Sequence, residues 1–207
     1  MTDVIKLNFI NRSNDTNNST VVIFQQNIGE DLGETAVAWQ VIKNCGRLDN
    51  HPFSYPLQFE VSASDSYGNS SPAMLAYDGQ AYQMVKDNSG DVLQISAEAA
   101  ASQDEVEVRN DLAQGAIAAH AVRDGKICAT VPGLAPGQKA VFKFTPRIRI
   151  GVMSQINEGD TLSAAILSQL QTELDLIGVT SADIVMTGGG PGAKADPFKF
   201  ELENINT

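Results

Sequence analysis

The chain has 207 residues, a formal net charge of −11 at pH 7 and a sequence pI of about 4.5. A chain of this length can bury a sizeable core without a disulfide or a metal. The negative charge argues against a nucleic-acid partner and against electrostatic docking on an anionic membrane. Cys45 and Cys128 both stand in apolar contexts, which is typical of buried free thiols.

Short apolar or alternating runs, separated by turn residues, recur along the chain and predict strands. The first is residues 4–11, in which Ile5, Leu7 and Phe9 share one face. Residues 44–56 are expected to be irregular because they contain glycine and two prolines. This spacing predicts an all-β fold, a single-domain antiparallel β-sandwich spanning residues 1–207. The further predicted strands are 20–26, 36–43 around Trp39, 57–63, 81–86, 91–95, 105–109, 116–122, 126–131, 139–144, 147–153 and 198–205.

Residues 161–186 show the longest alternation in the chain. Every second residue from Leu162 to Leu176 is apolar or small, which predicts a strand with one buried face. A second β-like run at 182–186 completes a predicted long C-terminal hairpin. Several of the same apolar positions also recur at intervals of four, so the alternative is an α+β fold with residues 161–177 helical.

Two histidines are candidates for chemistry. The spacings from Cys45 to His51 and from His120 to Cys128 match no short zinc-ligand pair. His120 lies in an alanine-rich run, where a half-buried structural histidine is expected. His51 follows Asp49 closely and is a candidate general base oriented by that carboxylate. The resulting alternative function is a metal-dependent enzyme centred on His51, although no nucleophile motif accompanies it.

Two acidic turns and one glycine-rich run are candidates for ion or phosphate binding. Residues 65–69 and 87–91 offer oxygen ligands around a glycine but lack the distal glutamate of a calcium loop. Residues 187–192 lack the Gly-Lys-Ser/Thr of a phosphate loop, so a flexible loop or close backbone packing against a partner is favoured. No cofactor is therefore predicted.

Several aromatic residues lie close to predicted loops, whereas Trp39 lies in a predicted strand and is expected in the core. Tyrosine and phenylalanine supply rigid contact area on which a sugar can stack. We therefore predict a lectin-like site for a glycan or small molecule in the 44–69 loops. The predicted ligand-binding residues are Asp49, Asn50, His51, Phe53, Tyr55, Asp65, Tyr67 and Asn69.

The favoured function is a non-enzymatic binding or self-assembling β-sandwich, expected to form a homo-oligomer through sheet edges or the long hairpin. A second alternative is a soluble subunit of a β-pore-forming protein, because a fifteen-residue strand exceeds what a tilted membrane strand needs. The first residues show no signal peptide, so a cytoplasmic location is expected, with release by a non-classical route left open.

Four segments resemble those of a family of small, acidic, β-rich bacterial and fungal proteins with no established activity. They are residues 44–47 (Asn-Cys-Gly-Arg), 49–53 (Asp-Asn-His-Pro-Phe), 63–69 (Ala-Ser-Asp-Ser-Tyr-Gly-Asn) and 182–190 (Ala-Asp-Ile-Val-Met-Thr-Gly-Gly-Gly). Some members carry the label of an aromatic ring-opening dioxygenase. That activity implies a non-haem iron held by two histidines and a carboxylate. Here the histidines are His51 and His120, with no marked carboxylate partner.

Overall fold

A computed structural model describes residues 4–29, 35–168, 170, 172–192 and 195–207. Strands dominate these residues and confirm the predicted all-β class. The one helix among them, α1 (Ala164–Leu167), is far too short to cross a membrane. The strands are β1 (Val4–Asn11), β2 (Thr20–Phe24), β3 (Thr35–Val37), β4 (Gln40–Ile42), β5 (Asn50–Pro56), β6 (Glu60–Asp65), β7 (Met74–Leu75), β8 (Ala81–Asp87), β9 (Gly90–Ile95), β10 (Val106–Asn110), β11 (Ile117–Arg123), β12 (Lys126–Leu134), β13 (Lys139–Phe142), β14 (Arg147–Met153), β15 (Thr161–Leu162), β16 (Thr172–Asp175), β17 (Ser181–Gly189) and β18 (Asp196–Asn206).

The chain divides into two compact units. Unit 1 comprises residues 1–26, 37–57 and 146–207, and unit 2 comprises residues 27–36 and 58–145. Each unit contains two sheets, as expected for sandwich architecture. The prediction that residues 1–207 behave as a single domain stays a prediction.

Unit 1 is built from two four-stranded sheets. One has the order β18-β17-β1-β5, and the other has the order β16-β14-β2-β4. Strand β1 runs parallel to β17 and antiparallel to β5. Its buried residues Ile5, Leu7 and Phe9 alternate with more exposed ones, as the sequence predicts. The four apolar residues 21–24 of β2 are all buried, which confirms the prediction that both faces of this strand are covered.

Trp39 lies in the core of unit 1 but not in a strand. The predicted strand 36–43 is interrupted between β3 and β4, where the Trp39 amide donates to the Ile23 carbonyl at 3.0 Å. The indole meets the rings of Phe53 and Tyr55 edge-on, with centroids 6.0 and 5.7 Å away. Edge-to-face contacts of this kind stabilise a core beyond simple area burial. The predicted core position of Trp39 is confirmed.

The prediction that residues 44–56 are irregular is wrong for the second half of this range. Strand β5 occupies Asn50–Pro56 and pairs with β1 over seven positions. It contains Pro52 and Pro56, which disrupt an internal strand because proline has no N–H to donate. Because β5 is the outermost strand of its sheet, one side of its backbone needs no ladder partner and the prolines are tolerated.

The predicted strand from Leu162 to Leu176 is not formed, and neither is a helix over residues 161–177. The segment contains β15, the single turn of α1 and β16, with residues 169 and 171 outside the described part of the chain. Ser163 caps α1 by accepting the Ile166 amide, which turns the chain after two strand residues. Strand β16 pairs with β14 and not with β17. The C-terminal hairpin that does form joins β17 to β18.

Unit 2 contains a sheet with the consecutive strands β3-β12-β11-β6-β7 and a second sheet with the order β13-β10-β8-β9. The predicted hairpins β8–β9 and β11–β12 are both confirmed. At the second hairpin Asp124 and Gly125 have φ angles of +53° and +71°, the pair of left-handed residues that a tight turn requires. In the interior the Arg123 guanidinium lies over the rings of Phe59 and Phe144, at 5.8 and 5.6 Å.

The glycine-rich run packs closely against its own chain. Gly188 has a φ of +86° at the end of β17, and its carbonyl accepts the Asn14 amide at 2.7 Å. A Cβ atom at this position would overlap the carbonyl oxygen of Pro197 in β18. The glycine is therefore required both for its backbone conformation and for the close approach of two strands. Residues 193 and 194 of the following loop lie outside the described residues.

We expect Gly188→Ala to lower the free energy of unfolding of unit 1 by about 3 kcal/mol, since strain at a left-handed residue adds to a backbone overlap. Gly178→Ala is the matched control, because Gly178 has a φ of +77° and open space around it. Its cost should be ~1–2 kcal/mol. Urea unfolding followed by the fluorescence of Trp39, the single tryptophan, measures both. Equal losses in the two variants would contradict the close-packing explanation.

Candidate functional site

A cleft of about 590 Å³ lies within unit 2. This volume is typical of sites for small ligands. Three chain segments form its walls, namely the turn after β6, the β8–β9 hairpin and the loop between β10 and β11. The residues that line it are Asp65, Ser66, Tyr67, Lys86, Asp91, Leu112, Ala113, Gln114, Gly115 and Ala116.

The first wall is a turn held together by one carboxylate. Asp65 Oδ1 accepts the backbone amides of Tyr67 and Asn69 at 2.8 and 2.9 Å, and Oδ2 accepts Asn69 Nδ2 at 2.8 Å. Gly68 adopts a φ of +88°, and its amide donates to the Asp65 carbonyl. The turn is thus closed by local bonds that its own sequence supplies. Its tip carries Tyr67, which is 91% exposed.

The same bonds set the charge state of the turn. The side-chain amide of Asn69 is the largest influence that lowers the pKa of Asp65 below its ordinary value of 3.8, and the backbone amides of Asn69, Tyr67 and Gly68 act in the same direction. Hydrogen bonds to the ionised form of a carboxyl favour that form. Both carboxylate oxygens of Asp65 therefore accept hydrogen bonds within the turn. This role accounts for an aspartate at position 65 without a calcium ion.

The second wall places opposite charges side by side. Lys86 and Asp91 face each other across the β8–β9 hairpin, with Nζ and Oδ1 3.1 Å apart. Both side chains are accessible to solvent, so this ion pair contributes little to stability. What it provides at the cleft is a hydrogen-bond donor and an acceptor within reach of one ligand.

The third wall depends on a buried amide that sequence patterns did not single out. Asn110 is fully buried at the end of β10, and its Nδ2 donates to the carbonyls of Gly115 and Leu134 at 2.9 and 2.8 Å. Its Oδ1 accepts the amide of Leu112 at 3.2 Å. These bonds fix the loop that carries Gln114 into the cleft wall. The sequence signal that could have indicated this role is an asparagine at the end of a predicted strand, because its side chain can bond to nearby backbone groups.

The structure divides the eight predicted ligand-binding residues between the two units. Asp65 and Tyr67 line the cleft, and Asn69 supports the turn between them. The other five are Asp49, Asn50, His51, Phe53 and Tyr55, and all of them lie in unit 1.

The unit 1 residues belong mainly to the edge strand β5. His51, Phe53 and Tyr55 stand opposite Phe9, Leu7 and Ile5 in the register with β1, so they share the core face of that sheet. Tyr55 is 1% exposed, and its hydroxyl donates to Gln25 Oε1 at 3.1 Å. Tyr55 is therefore part of the core, and its ring is not presented to solvent.

The proposed partnership between Asp49 and His51 is not formed. Asp49 Oδ2 accepts the Gly46 amide at 2.9 Å and so closes its own turn. His51 belongs to unit 1 and His120 to unit 2. Within the described ranges there is also no group of three histidine, cysteine, aspartate or glutamate side chains that could hold a metal ion. An iron-dependent dioxygenase needs two histidines and one carboxylate at the same site, and these residues do not provide that set.

The chain was compared with family models, curated proteins and solved structures, and no match was found in any of the three.

We expect Asn69→Ala to raise the pKa of Asp65 towards 3.8, because the largest hydrogen bond to the carboxylate is lost. A depressed carboxyl pKa contributes stability above the unfolded value that is lost as the pH falls through the folded value. The variant should therefore lose less stability on acidification. Carbon-13 NMR titration of the carboxyl group measures the change. Asp87, whose pKa is lowered chiefly by the side chain of Ser89, should be unaffected.

Proposed function

We propose that this protein is a binding protein whose cleft beside Tyr67 takes a glycan. The observation that carries the proposal is a nearly fully exposed tyrosine on a turn that is closed by five hydrogen bonds within residues 65–69. Because the backbone beneath this ring is already fixed, binding has to order only the two side-chain torsions of the tyrosine, which is a small entropy cost. Aromatic side chains supply much of the contact energy of binding sites.

The polar groups around the ring suit a ligand that is rich in hydroxyl groups. Each hydroxyl group donates one hydrogen bond and accepts others. Lys86 supplies donors, Asp91 supplies acceptors, and the amide of Gln114 supplies both. The apolar contribution comes from the ring of Tyr67 and from Leu112 and the small residues that follow it.

The charged side chains at the cleft indicate which class of glycan it can bind. Two carboxylates, Asp65 and Asp91, lie beside one ammonium group, that of Lys86. The whole chain is also strongly negative, with a net charge of −11. Because like charges repel at close range, this field favours neutral or amino sugars over sulfated or carboxylated ones.

The decisive experiment is a glycan array followed by calorimetric titration of the best ligand. We expect binding to neutral or amino sugars, weakened about tenfold or more by Tyr67→Ala because the stacking surface is lost. Tyr77→Ala is the matched control, since Tyr77 is a second exposed tyrosine of unit 2, half-exposed, that does not line the cleft. An array without any binding, or equal affinities for the two variants, would overturn the proposal.

A second proposal is self-association through β18. This strand has eleven residues and is the outermost member of its sheet, so one side of its backbone is available for pairing with a second copy. The pore hypothesis depended on a single strand of fifteen residues. The structure has β15, α1 and β16 in that segment instead. Edge pairing is therefore the route to assembly that the described strands favour.

If β18 pairs between copies, its amide groups should exchange with deuterium more slowly as the protein concentration rises, because the pairing bonds protect them. Native mass spectrometry should show a dimer over the same range. Strand β9, which is the edge of a sheet in unit 2, serves as the internal control and should not change. A monomer at every concentration, or equal protection of β9 and β18, would contradict this mode of assembly.

A further inference from the structure

Three polar side chains form a hydrogen-bonded row across three neighbouring strands of unit 2. Ser64 Oγ lies 2.9 Å from His120 Nε2, and His120 Nδ1 lies 3.0 Å from Thr130 Oγ1. The residues belong to β6, β11 and β12, in which His120 stands directly opposite Thr130 and Ser64 is its diagonal neighbour opposite Ala118. The row does not belong to the cleft, since none of the three residues lines it.

The row lies on the side of the sheet that faces away from the core. Ala119 and Ala121, the neighbours of His120 in β11, are fully buried, whereas His120 itself is half-buried. Ser64 and Thr130 are likewise less buried than Ala63 and Ala129, the residues that precede them in β6 and β12. All three polar side chains are thus packed well enough to hold their positions while remaining accessible to a small reagent.

The burial of the imidazole favours its use as a base. Desolvation lowers the pKa of His120 below its ordinary value of 6.5, so the ring is neutral at pH 7. A neutral imidazole has one donor nitrogen and one acceptor nitrogen. When Nδ1–H donates to Thr130 Oγ1, Nε2 is left to accept the hydroxyl proton of Ser64. This is the order of nucleophile, base and orienting group that activates a serine.

We propose that Ser64 is a nucleophile towards activated carboxylic and phosphonic esters, with His120 as its general base and Thr130 as a residue that positions the imidazole. In the first step the Ser64 Oγ–acyl bond forms and the ester C–O bond breaks. The Ser64 proton passes to His120 Nε2 and then to the departing alkoxide. A water molecule, deprotonated by His120, then attacks the acyl carbon. The Ser64 Oγ–acyl bond breaks, the proton returns from His120 to Ser64 Oγ, and a carboxylic acid leaves. This inference is independent of glycan binding at the cleft.

The two hydrogen bonds would also arise if the row only stabilised the sheet, since cross-strand polar pairs commonly do so. The two roles differ in reactivity, because a serine that merely donates a hydrogen bond does not attack an ester. The observations specify a nucleophile and its base, so the expected signature is modification of one serine and not rapid turnover.

The test is incubation of the full chain with a fluorophosphonate probe, followed by intact-mass and peptide analysis. We expect one probe per chain, attached through a new bond between Ser64 Oγ and phosphorus, with the P–F bond broken, fluoride as the leaving group and the Ser64 proton taken up by His120. Ser64→Ala should abolish labelling, and His120→Gln should slow it by about a hundredfold, the usual contribution of a general base. Ser62→Ala is the control, because Ser62 stands opposite His120 in the register but makes no bond to it in the row. It should be labelled at the wild-type rate.

A positioning role for Thr130 predicts that Thr130→Val slows the chemical step of labelling without weakening probe binding, and that Thr130→Ser restores the rate. Circular dichroism melting confirms that each variant is folded. The proposal is overturned if the folded wild-type protein is not labelled, if the probe attaches to another residue, or if His120→Gln is labelled as fast as the wild type.

Discussion

The pairing of β1 on both of its edges is the constraint on which unit 1 depends. On one side β1 is antiparallel to β5, and on the other it is parallel to β17, whose residues follow it by about 175 positions in the chain. A parallel pair cannot be closed by a tight turn, so everything between the two strands must be accommodated before the sheet is complete. In this sheet β1 joins the three segments of unit 1, and in the second sheet β2 joins the same three segments by pairing with β4 and β14. The core around Trp39 forms between the two sheets.

The cleft of unit 2 depends on two side-chain anchors of different kinds. Asp65 organises a solvent-exposed turn through bonds that lie within five residues of one another. Asn110 acts from the interior and joins the loop at Gly115 to the end of β12. Asp65 holds the turn that carries the ring of Tyr67, and Asn110 holds the loop that carries Gln114 into the cleft wall. Both use the tendency of asparagine and aspartate side chains to bond to a nearby backbone.

The sequence predicted the fold best where the deciding signals are local. The alternation of Ile5, Leu7 and Phe9 and the Asp124–Gly125 turn determine their elements without help from distant residues. Strand β5 was not predicted because a strand can contain proline only at the edge of a sheet. Whether a strand lies at an edge depends on the topology of the sheet and cannot be seen in its own residues. The structure of residues 161–177 was not predicted because their apolar positions fit both the period of a strand and that of a helix. The cap at Ser163 instead starts a single helical turn between two short strands.

The same distinction applies to the candidate sites. Asp65 and Tyr67, which line the cleft, could be singled out because their turn chemistry can be recognised within a few residues. Asp91 stood out only as part of an oxygen-rich turn, and Lys86 and Gln114 carried no signal, because only the tertiary structure brings three separate segments to one cleft. The row from Ser64 to Thr130 depends on strand register across three strands, and a shift of one residue would remove it.

The division of the chain has a consequence for its synthesis on the ribosome. All of unit 2 precedes residue 146, so its strands are translated before β14, β16, β17 and β18 exist. Strands β6 to β13 can therefore begin to pair with one another while the nascent chain is still growing. Strand β1 is made first but receives its parallel partner β17 almost last. During that interval one backbone edge of β1 lacks its ladder partner, and an unpaired edge of this kind is open to pairing with a strand of another nascent chain.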